Sequence, residues 1–352
     1  MVYDSYSLLD KLNTKHSLNL EEYEYLISNF DEALMERAAE YARAYQQQYY
    51  GNKVFTRGLI EFTNFCRNNC YYCGIRRDNN NLERYRLSVD EIALCASNGY
   101  DLGFRTIVLQ GGEDFSYSDD TICDIIRRIK ATHEDIVITL SIGEMTKESY
   151  QAYYDAGARR YLLRHETANP ELYAKLHPKE MSWQNRMDCL KNLREIGYQV
   201  GAGFMVQSPG QTAHDLAMDL KFVEEFKPDM CGIGPFISHK DTPFSMEKSG
   251  TLEMTLFCLS LIRIIYPQVL LPATTALGTI NPKGRELGIK AGANVVMPNL
   301  SPVSVRKNYS LYDNKICTGE EAAECRGCLE RRMASVGYEV VVDVGDRAGF
   351  AI

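Results

Sequence analysis

Three cysteines in the first quarter of the chain have the spacing of a metal-binding motif. Residues 59–77 read LIEFTNFCRNNCYYCGIRR, so Cys66, Cys70 and Cys73 follow a strand-like stretch in a CxxxCxxC pattern. Three thiolates can hold three irons of a 4Fe–4S cluster, whereas four would saturate it. The spacing therefore predicts a 4Fe–4S cluster whose fourth iron stays open for a ligand.

A ligand for such an iron would chelate it through an amine and a carboxylate, and S-adenosylmethionine offers both groups. One electron from the cluster would break its S–C5′ bond and release a 5′-deoxyadenosyl radical. The alternatives are a zinc site or buried structural cysteines. Zinc needs a fourth Cys or His, and the nearest ones, Cys95, His16 and His133, stand at no familiar zinc spacing. The pattern favours the cluster.

Two further segments have side chains suited to holding a cofactor. Gly111-Gly112-Glu113 ends a predicted strand, and its glycines would let a ligand approach the backbone closely. Arg164 and Glu166 share one face of another strand, where buried charges are costly unless they are paired or bind a ligand. The acid could bind an ammonium and the arginine a carboxylate, or the two could form an internal pair.

A second group of cysteines lies near the C-terminus. Residues 317–328 read CTGEEAAECRGC and place Cys317, Cys325 and Cys328 in a CxxC motif with a third Cys upstream. A second iron–sulfur cluster is one interpretation, and a zinc or vestigial site is the other, because spacing fixes ligands but not the metal. The remaining five cysteines are expected to be small core residues: Cys95, Cys123, Cys189, Cys231 and Cys258.

The elements that would position these groups alternate along the chain. Residues 1–50 have helical periodicity, and short apolar strands separated by amphipathic helices follow from residue 54. Helical segments are predicted between the strands, for example at 89–99, 119–131, 146–156, 184–196 and 213–226. The predicted strands are 54–63, 105–110, 135–141, 159–164, 199–206, 230–236, 270–275 and 293–297.

Alternating strands and helices predict a parallel sheet with right-handed crossovers. Eight units in about 250 residues favour an α/β fold of the (β/α)8 TIM-barrel type, and six units would give an open three-quarter barrel. We predict one domain over residues 1–352. It comprises N-terminal helices at 1–52, the barrel at 53–300 and a C-terminal extension at 301–352 that includes the second cysteine group and a strand at Tyr338–Val342.

The bulk composition excludes several classes of protein. The 352 residues are 45% hydrophobic and 24% charged, as in a globular protein, and the net charge of −8 argues against a nucleic-acid partner. No basic-then-apolar leader and no apolar run of about 20 residues occurs, so we expect no membrane partner and a cytoplasmic location. In the reducing cytoplasm, the eleven cysteines are expected to be free thiols or metal ligands.

Several runs of sequence resemble a known family. The segments CRNNCYYCGIRRDNNNLERYRLS, RYLLRHETANPELYAKLHP and GAGFMVQSPGQT, with the CX7CX2C tail, resemble the radical SAM maturases of the HydE type, which act on the FeFe hydrogenase active site. The resemblance extends from about residue 50 to 350. Biotin synthase and methylornithine synthase share the barrel and the first triplet, but the extended first run and the tail triplet are more like the maturases.

The resemblance implies a complete barrel around a long cavity, with S-adenosylmethionine at its top beside the cluster. It implies a small iron–cysteine organometallic substrate with CO and cyanide ligands, whose sulfur the adenosyl radical attacks. A low-potential electron donor, flavodoxin or ferredoxin, and other hydrogenase maturation proteins are the implied partners. The implied cofactor-contacting positions are Tyr72, Gln110, Gly111, Gly112, Glu113, Glu166, Arg186, Met297 and Tyr312. The implied anion- and substrate-binding positions are Arg57, Thr139, Arg160, Arg164, Thr274 and Thr275.

Two features limit the resemblance. Gln207-Ser208-Pro209 replaces the usual apolar-Gly-apolar-Pro arrangement, and the tail triplet varies among relatives, so Cys325→Ala is expected to leave cofactor cleavage largely intact. One alternative function is an amino-acid mutase or synthase of the methylornithine synthase or biotin synthase type, which an amino acid such as lysine would stimulate. Another is a non-catalytic iron–sulfur scaffold, which would form no 5′-deoxyadenosine.

Overall fold

The computed structural model describes residues 4–319 and 322–350 and omits the side chains of 322–325. Most helices begin at a Ser, Thr, Asn or Asp whose side chain accepts a backbone N–H from the first turn, as at Ser88 and Thr146. The helices are α1 Ser5–Lys15, α2 Leu20–Ser28, α3 Glu32–Tyr50, α4 Val89–Asp101, α5 Asp119–Thr132, α6 Lys147–Ala156, α7 Pro170–Leu176, α8 Trp183–Ile196, α9 Ala213–Phe226, α10 Leu252–Ile265, α11 Thr275–Ile280, α12 Gly284–Lys290, α13 Val303–Arg306 and α14 Ala322–Ala334.

The strands are short and their central positions are buried, as expected for a parallel sheet covered on its outer face by helices. Buried aliphatic and aromatic residues on the outward faces pack against the helices and form a core around the first strands of the ring. The strands are β1 Lys53–Thr56, β2 Gly58–Thr63, β3 Thr106–Gly111, β4 Val137–Ser141, β5 Arg160–Leu162, β6 Gln199–Ala202, β7 Met205–Val206, β8 Met230–Cys231, β9 Gly234–Pro235, β10 Val295–Val296 and β11 Glu339–Val341.

The parallel strands close into a ring of eight. Strands β2, β3, β4, β5, β6 and β8 pair in that order. Residues 270–272 continue the ring, because Leu270 bridges Met230 of β8 and Pro272 bridges Val295 of β10. β10 pairs with β1, and β1 and β2 are one strand interrupted at Arg57. The predicted eight-stranded barrel is therefore confirmed.

One predicted strand differs from the structure. Residues 270–275 were expected to form the seventh strand, but they make only single bridges in the ring. Pro272 has no N–H to donate to a ladder, and Thr274 occupies the N-cap position of a helix that begins at Thr275, although its hydroxyl forms no capping hydrogen bond. The two threonines thus start α11 instead of ending a strand. The other predicted elements lie within a few residues of the observed ones.

The N-terminal helices and the C-terminal extension flank the barrel. Helix α2 packs on α9 and α3 packs on α10, which joins the N-terminal helices to the core on that side. β11 pairs in parallel with β1 at the amino end of the barrel. The residues after it cross this end, which we call the base, where the Val344 carbonyl accepts a hydrogen bond from the Thr106 hydroxyl at 2.7 Å. The carboxyl end of the strands, the mouth, stays free of this segment.

Candidate active site

A cavity of about 370 Å³ lies at the mouth of the barrel. All three cysteines of the first triplet line it, together with polar side chains from successive strands. Glu61 of β2, Gln110 of β3 and Ser141 of β4 are paired in register and form part of its wall. In a (β/α)8 barrel the carboxyl ends of the strands converge at the mouth, so side chains far apart in sequence meet there.

The loop at 64–88 is held in shape by hydrogen bonds to its own carbonyls. Arg84 donates to the carbonyls of Ile75 at 2.9 Å, Arg76 at 2.6 Å and Asn79 at 3.1 Å. The side chain of Asn79 donates to the Gly74 carbonyl at 2.7 Å. Satisfying these carbonyls fixes a loop that has no regular secondary structure and that places the cysteines along the cavity wall.

The thiols are suited to a multinuclear metal group. Burial raises the pKa of Cys66 and Cys70, and raises that of Cys73 to about 12, so a bound cation is needed to keep three thiolates. Over the part of the chain that the structure describes, no three His, Cys, Asp or Glu side chains converge on a single ion. Cubane ligands attach to separate irons and need no such convergence. This arrangement fits a 4Fe–4S cluster better than zinc.

Arg164 and Glu166 face the cavity with unused hydrogen-bonding capacity. Arg164 Nη2 and Glu166 Oε2 form an ion pair at 3.2 Å. The geometry of this pair is not that of a hydrogen bond, and Arg164 Nε has no acceptor within residues 4–319 or 326–350. Glu166 also has a φ of 66°, a conformation that is costly outside glycine and is concentrated at functional sites. Buried charged groups whose hydrogen bonds are incomplete indicate a binding site for a polar ligand.

Two ion pairs form the wall beside the cysteines. Arg186 binds Glu144 at 2.5 Å and donates to the carbonyl of Arg164 at 2.7 Å. Glu113 accepts from Arg67 Nε and from the backbone N–H of Glu144, both at 2.9 Å. Glu113 therefore ties the cysteine loop to the loop after β4, while its side chain and that of Arg186 also line the cavity.

The other implied cofactor-contacting residues lie on the same cavity. The Tyr72 hydroxyl contacts His177 Nε2 at 3.1 Å, and Gln110 Nε2 donates to the Tyr309 hydroxyl at 3.3 Å. Gly111 and Gly112 line the wall beside the cysteine loop. A Cβ on Gly112 would stand 2.1 Å from the Phe65 carbonyl oxygen, so only glycine fits there. Met297 and Tyr312 complete this group.

Glu61 and Lys315 were missed by the sequence reasoning. Lys315 Nζ binds Glu61 Oε1 at 2.6 Å and the Tyr309 carbonyl at 2.8 Å, and Asn299 binds the other carboxylate oxygen at 2.7 Å. Both charged side chains line the cavity and are less than a tenth exposed. A charge within the apolar stretch LIEFT was a signal for Glu61. Lys315 had no such signal, because its segment has no periodicity.

We expect Lys315→Met to lower the free energy of unfolding by about 3–5 kcal/mol, because it leaves a buried carboxylate without its cation. The double variant Glu61→Gln/Lys315→Met removes both charges and should regain most of that loss. Urea unfolding of the wild type, each single variant and the double variant measures the coupling. Equal losses in the single and double variants would contradict the importance of this pair.

Comparison with known proteins agrees with this site. Residues 60–223 match the profile of the radical SAM superfamily. Over 318 residues the chain is 48% identical to the [FeFe] hydrogenase maturase subunit HydE of Thermotoga maritima, covering 90% of this chain and 89% of that protein. The chain belongs to the radical SAM superfamily, in the HydE family. The superfamily implies a 4Fe–4S cluster and S-adenosylmethionine.

More distant relatives share the whole barrel. The chain is 28% identical to the 3-methylornithine synthase of Methanosarcina barkeri, over 95% of this chain and 93% of that protein. A crystal structure of methylornithine synthase superposes with a TM-score of 0.82 at 26% identity and covers 95% of this chain and 97% of that chain. The complete barrel is thus common to this HydE-family chain and to an amino-acid synthase.

The implied substrate-binding residues of this HydE-family chain separate into two groups. Arg164, Thr274 and Thr275 line the main cavity. Arg57, Thr139 and Arg160 instead line a small cavity below it, nearer the base. Among the described residues, Leu162 lines both cavities, and the two linings share no other residue.

The basal arginines differ in their partners. Arg160 is fully engaged: its guanidinium binds Asp346 at 2.6 Å and the Val344 carbonyl at 2.9 Å, both in the C-terminal extension. Arg57 donates to the Met230 sulfur at 3.0 Å, and its Nε has no acceptor in the described structure. Burial lowers the pKa of Arg57 well below its usual value. Arg160 is thus held by the protein itself, whereas Arg57 is incompletely satisfied.

The tail triplet is only partly described. Cys317 lies beside the mouth, where Arg285 donates to its sulfur at 3.4 Å and to the Thr275 hydroxyl at the same distance. Cys328 is exposed on α14, and the side chain of Cys325 lies outside the described residues. The second cluster therefore stays a prediction. The five scattered cysteines are buried, as expected.

His165 is buried between two hydrogen-bond partners. Its Nδ1 accepts from the backbone N–H of Gly203 at 3.3 Å and its Nε2 donates to Asp219 at 3.2 Å. Burial, and then the charges of Arg164 and Arg186, lower its pKa from 6.5 to about 3. The imidazole is therefore neutral in the folded protein.

This neutral histidine predicts a loss of stability in acid. The pKa of His165 is lower in the folded protein than in the unfolded one. The contribution of His165 to the free energy of unfolding is therefore complete above pH 6.5 and is lost as the pH falls from 6.5 toward 3. Between pH 7 and pH 5 it amounts to about 2 kcal/mol. The free energy of unfolding of His165→Gln, measured by urea unfolding between pH 7 and pH 5, should lack this share of the pH dependence. A pH dependence in His165→Gln equal to that of the wild type would contradict the prediction.

Proposed function

We propose that this radical SAM enzyme acts in maturation of the FeFe hydrogenase H-cluster on a small iron–cysteine organometallic precursor. The main support is the 48% identity to HydE along nine-tenths of the chain. The cavity adds a chemical reason, since it joins a three-cysteine loop to incompletely satisfied buried charges within one space of about 370 Å³. That volume suits a compact ligand next to a cofactor.

The residues of the mouth would hold the cofactors. Cys66, Cys70 and Cys73 would ligate the 4Fe–4S cluster, and Glu166 would bind the methionine ammonium with its unsatisfied oxygen. Arg186, fixed by Glu144, would face the methionine carboxylate. When bound, the reduced cluster and S-adenosylmethionine supply methionine and a 5′-deoxyadenosyl radical by one-electron cleavage of the S–C5′ bond.

The substrate would lie deeper in the same cavity. Arg164 offers unsatisfied N–H donors, and the Thr274 hydroxyl is buried without a partner in the described chain. Lys315 has three N–H donors and gives one each to Glu61 and the Tyr309 carbonyl, which leaves a third for a ligand. Such donors fit the carboxylate and cyanide groups of the proposed precursor. Leu59, Leu162 and Pro272 form apolar wall and limit the access of water.

The test is formation of 5′-deoxyadenosine. The protein is reconstituted anaerobically with iron and sulfide, reduced with dithionite and given S-adenosylmethionine, and the product is quantified by chromatography. We expect cleavage, and a synthetic iron–cysteine complex with CO and cyanide ligands should increase it and yield an adenosylated product. A well-formed cluster that gives neither 5′-deoxyadenosine nor an adenosylated product, with or without this complex, would refute the proposal.

The second candidate is an amino-acid mutase or synthase, favoured by the superposition on methylornithine synthase. Lysine would then stimulate cleavage and the iron–cysteine complex would not. The maturase proposal also includes a reducing cytoplasmic setting, because eleven cysteines and an oxygen-sensitive cluster need one. Its further partners would be the other maturation proteins and a low-potential electron donor.

A further inference from the structure

His177 has a hydrogen-bond partner at each of its ring nitrogens. Nδ1 lies 2.9 Å from the Tyr173 carbonyl oxygen, and Nε2 lies 3.1 Å from the Tyr72 hydroxyl. Burial, and then the charge of Arg186, lower the pKa of His177 from 6.5 to about 3, so the ring is neutral. Since a carbonyl oxygen only accepts, Nδ1 has the proton and Nε2 is the acceptor. The Tyr72 hydroxyl therefore donates its hydrogen bond to His177.

The imidazole of His177 is fixed by packing as well as by hydrogen bonds. It is buried and stacks on the Tyr173 ring with 3.9 Å between the centroids, while the Tyr72 ring meets it edge-on at 5.4 Å. The hydrogen bond from Nδ1 to Tyr173 opposes rotation of the ring. Tyr72 thus has one rigid acceptor for its hydroxyl, and its own side chain lines the mouth cavity between two cluster ligands, Cys70 and Cys73.

Helix α7 and the residues after it contact the cysteine loop at further points. The Tyr71 backbone N–H donates to the Leu176 carbonyl at 3.0 Å, and the Cys70 sulfur lies 3.7 Å from the Met181 sulfur. The same helix begins shortly after Glu166, the proposed partner of the cofactor ammonium. One short segment therefore connects the proposed ammonium site to the turn of the loop that contains two cluster ligands.

We propose that His177 is a positioning residue for S-adenosylmethionine, because it holds the Tyr72 hydroxyl and so keeps the Tyr72 ring against the wall of the mouth cavity. The inference rests on the cofactor placement in the proposed function. A buried hydroxyl without an acceptor is costly. Without His177 the Tyr72 side chain would turn toward the cavity to reach water, and its ring would then occupy space that the cofactor needs.

The test is equilibrium binding of S-adenosylmethionine to the cluster-loaded, unreduced protein by titration calorimetry, with iron content measured on the same samples. His177→Leu removes the acceptor, and His177→Gln supplies an amide oxygen that can accept from the hydroxyl. Tyr72→Phe/His177→Leu removes both partners. The matched control is His133→Leu, because His133 also stacks on a tyrosine, Tyr100, at 4.0 Å and contacts a hydroxyl, that of Ser97, at 3.0 Å, but lies outside the cavity lining.

The Kd for S-adenosylmethionine should rise about tenfold in His177→Leu and stay within about threefold of the wild-type value in His177→Gln and His133→Leu. The double variant should regain most of the lost affinity, because phenylalanine has no hydroxyl to leave without a partner.

Two results would overturn the positioning role of His177: wild-type affinity in His177→Leu, or a double variant that binds as weakly as His177→Leu. The second result would show a general structural defect, which does not depend on the Tyr72 hydroxyl. If His177→Leu does not fold, the double variant is compared directly with the wild type, and binding weaker by about tenfold would overturn the proposal. Absence of binding in the wild type would instead overturn the proposed cofactor site.

Discussion

Replacing Cys66 with alanine is expected to abolish formation of 5′-deoxyadenosine, to below about a thousandth of the wild-type rate, because a cluster with two thiolates is not retained in an active form. The thiol lines the mouth cavity with Cys70 and Cys73 on a loop fixed by Arg84. The measurement is anaerobic reconstitution and dithionite-driven cleavage, with iron and sulfide content determined on the same samples.

Cys328→Ala is the matched control for this prediction. Cys328 is an exposed cysteine of the tail triplet, so its truncation leaves no hole in the core. This variant should keep nearly the wild-type rate if the tail site is accessory. Substantial turnover by Cys66→Ala would remove the assignment of the first triplet. Loss of activity in Cys328→Ala alone would show that the tail participates in the reaction.

The second large effect is expected at Glu166. Glu166→Gln keeps the shape of the side chain and removes its charge, so it should weaken S-adenosylmethionine binding by roughly 10- to 100-fold, the worth of a charge-assisted hydrogen bond. The reason is the buried, unsatisfied oxygen that faces the cavity beside Arg164. The measurement is an equilibrium titration of the cluster-loaded protein with S-adenosylmethionine.

Glu171→Gln supplies the control for Glu166. Glu171 is an exposed carboxylate on α7, outside the cavity lining. It should bind S-adenosylmethionine with wild-type affinity. An unchanged affinity in Glu166→Gln would show that its pairing with Arg164 is internal, which is the alternative left open by the sequence. A loss of cluster content in that variant would be visible in the iron analysis and would be separated from a loss of binding.

The sequence alone determined the first cysteine triplet and the architecture. The CxxxCxxC spacing is local, and alternating strand and helix periods depend only on neighbouring residues, so both are legible without coordinates. Arg164 and Glu166 were expected to share a strand face, but β5 ends at Leu162 and Glu166 has a φ of 66°, so their 3.2 Å pairing arises from the loop after the strand. The predicted strand 270–275 was too long, because Pro272 cannot donate to a ladder and helix α11 begins at Thr275, a detail that the apolar pattern conceals.

Only the tertiary structure decided which distant groups meet. Lys315 and Glu61 are separated by 254 residues and become partners because the barrel closes and residues 309–315 return to the mouth. Asp346 lies 186 residues after Arg160 in the chain and binds its guanidinium at the base, so the C-terminal extension supplies the partner of this arginine. Sequence periodicity contains no information on such pairs, since ion pairs depend on ring closure and strand register. The chemistry was therefore predictable from local spacing, whereas the division of the interior into two cavities was not.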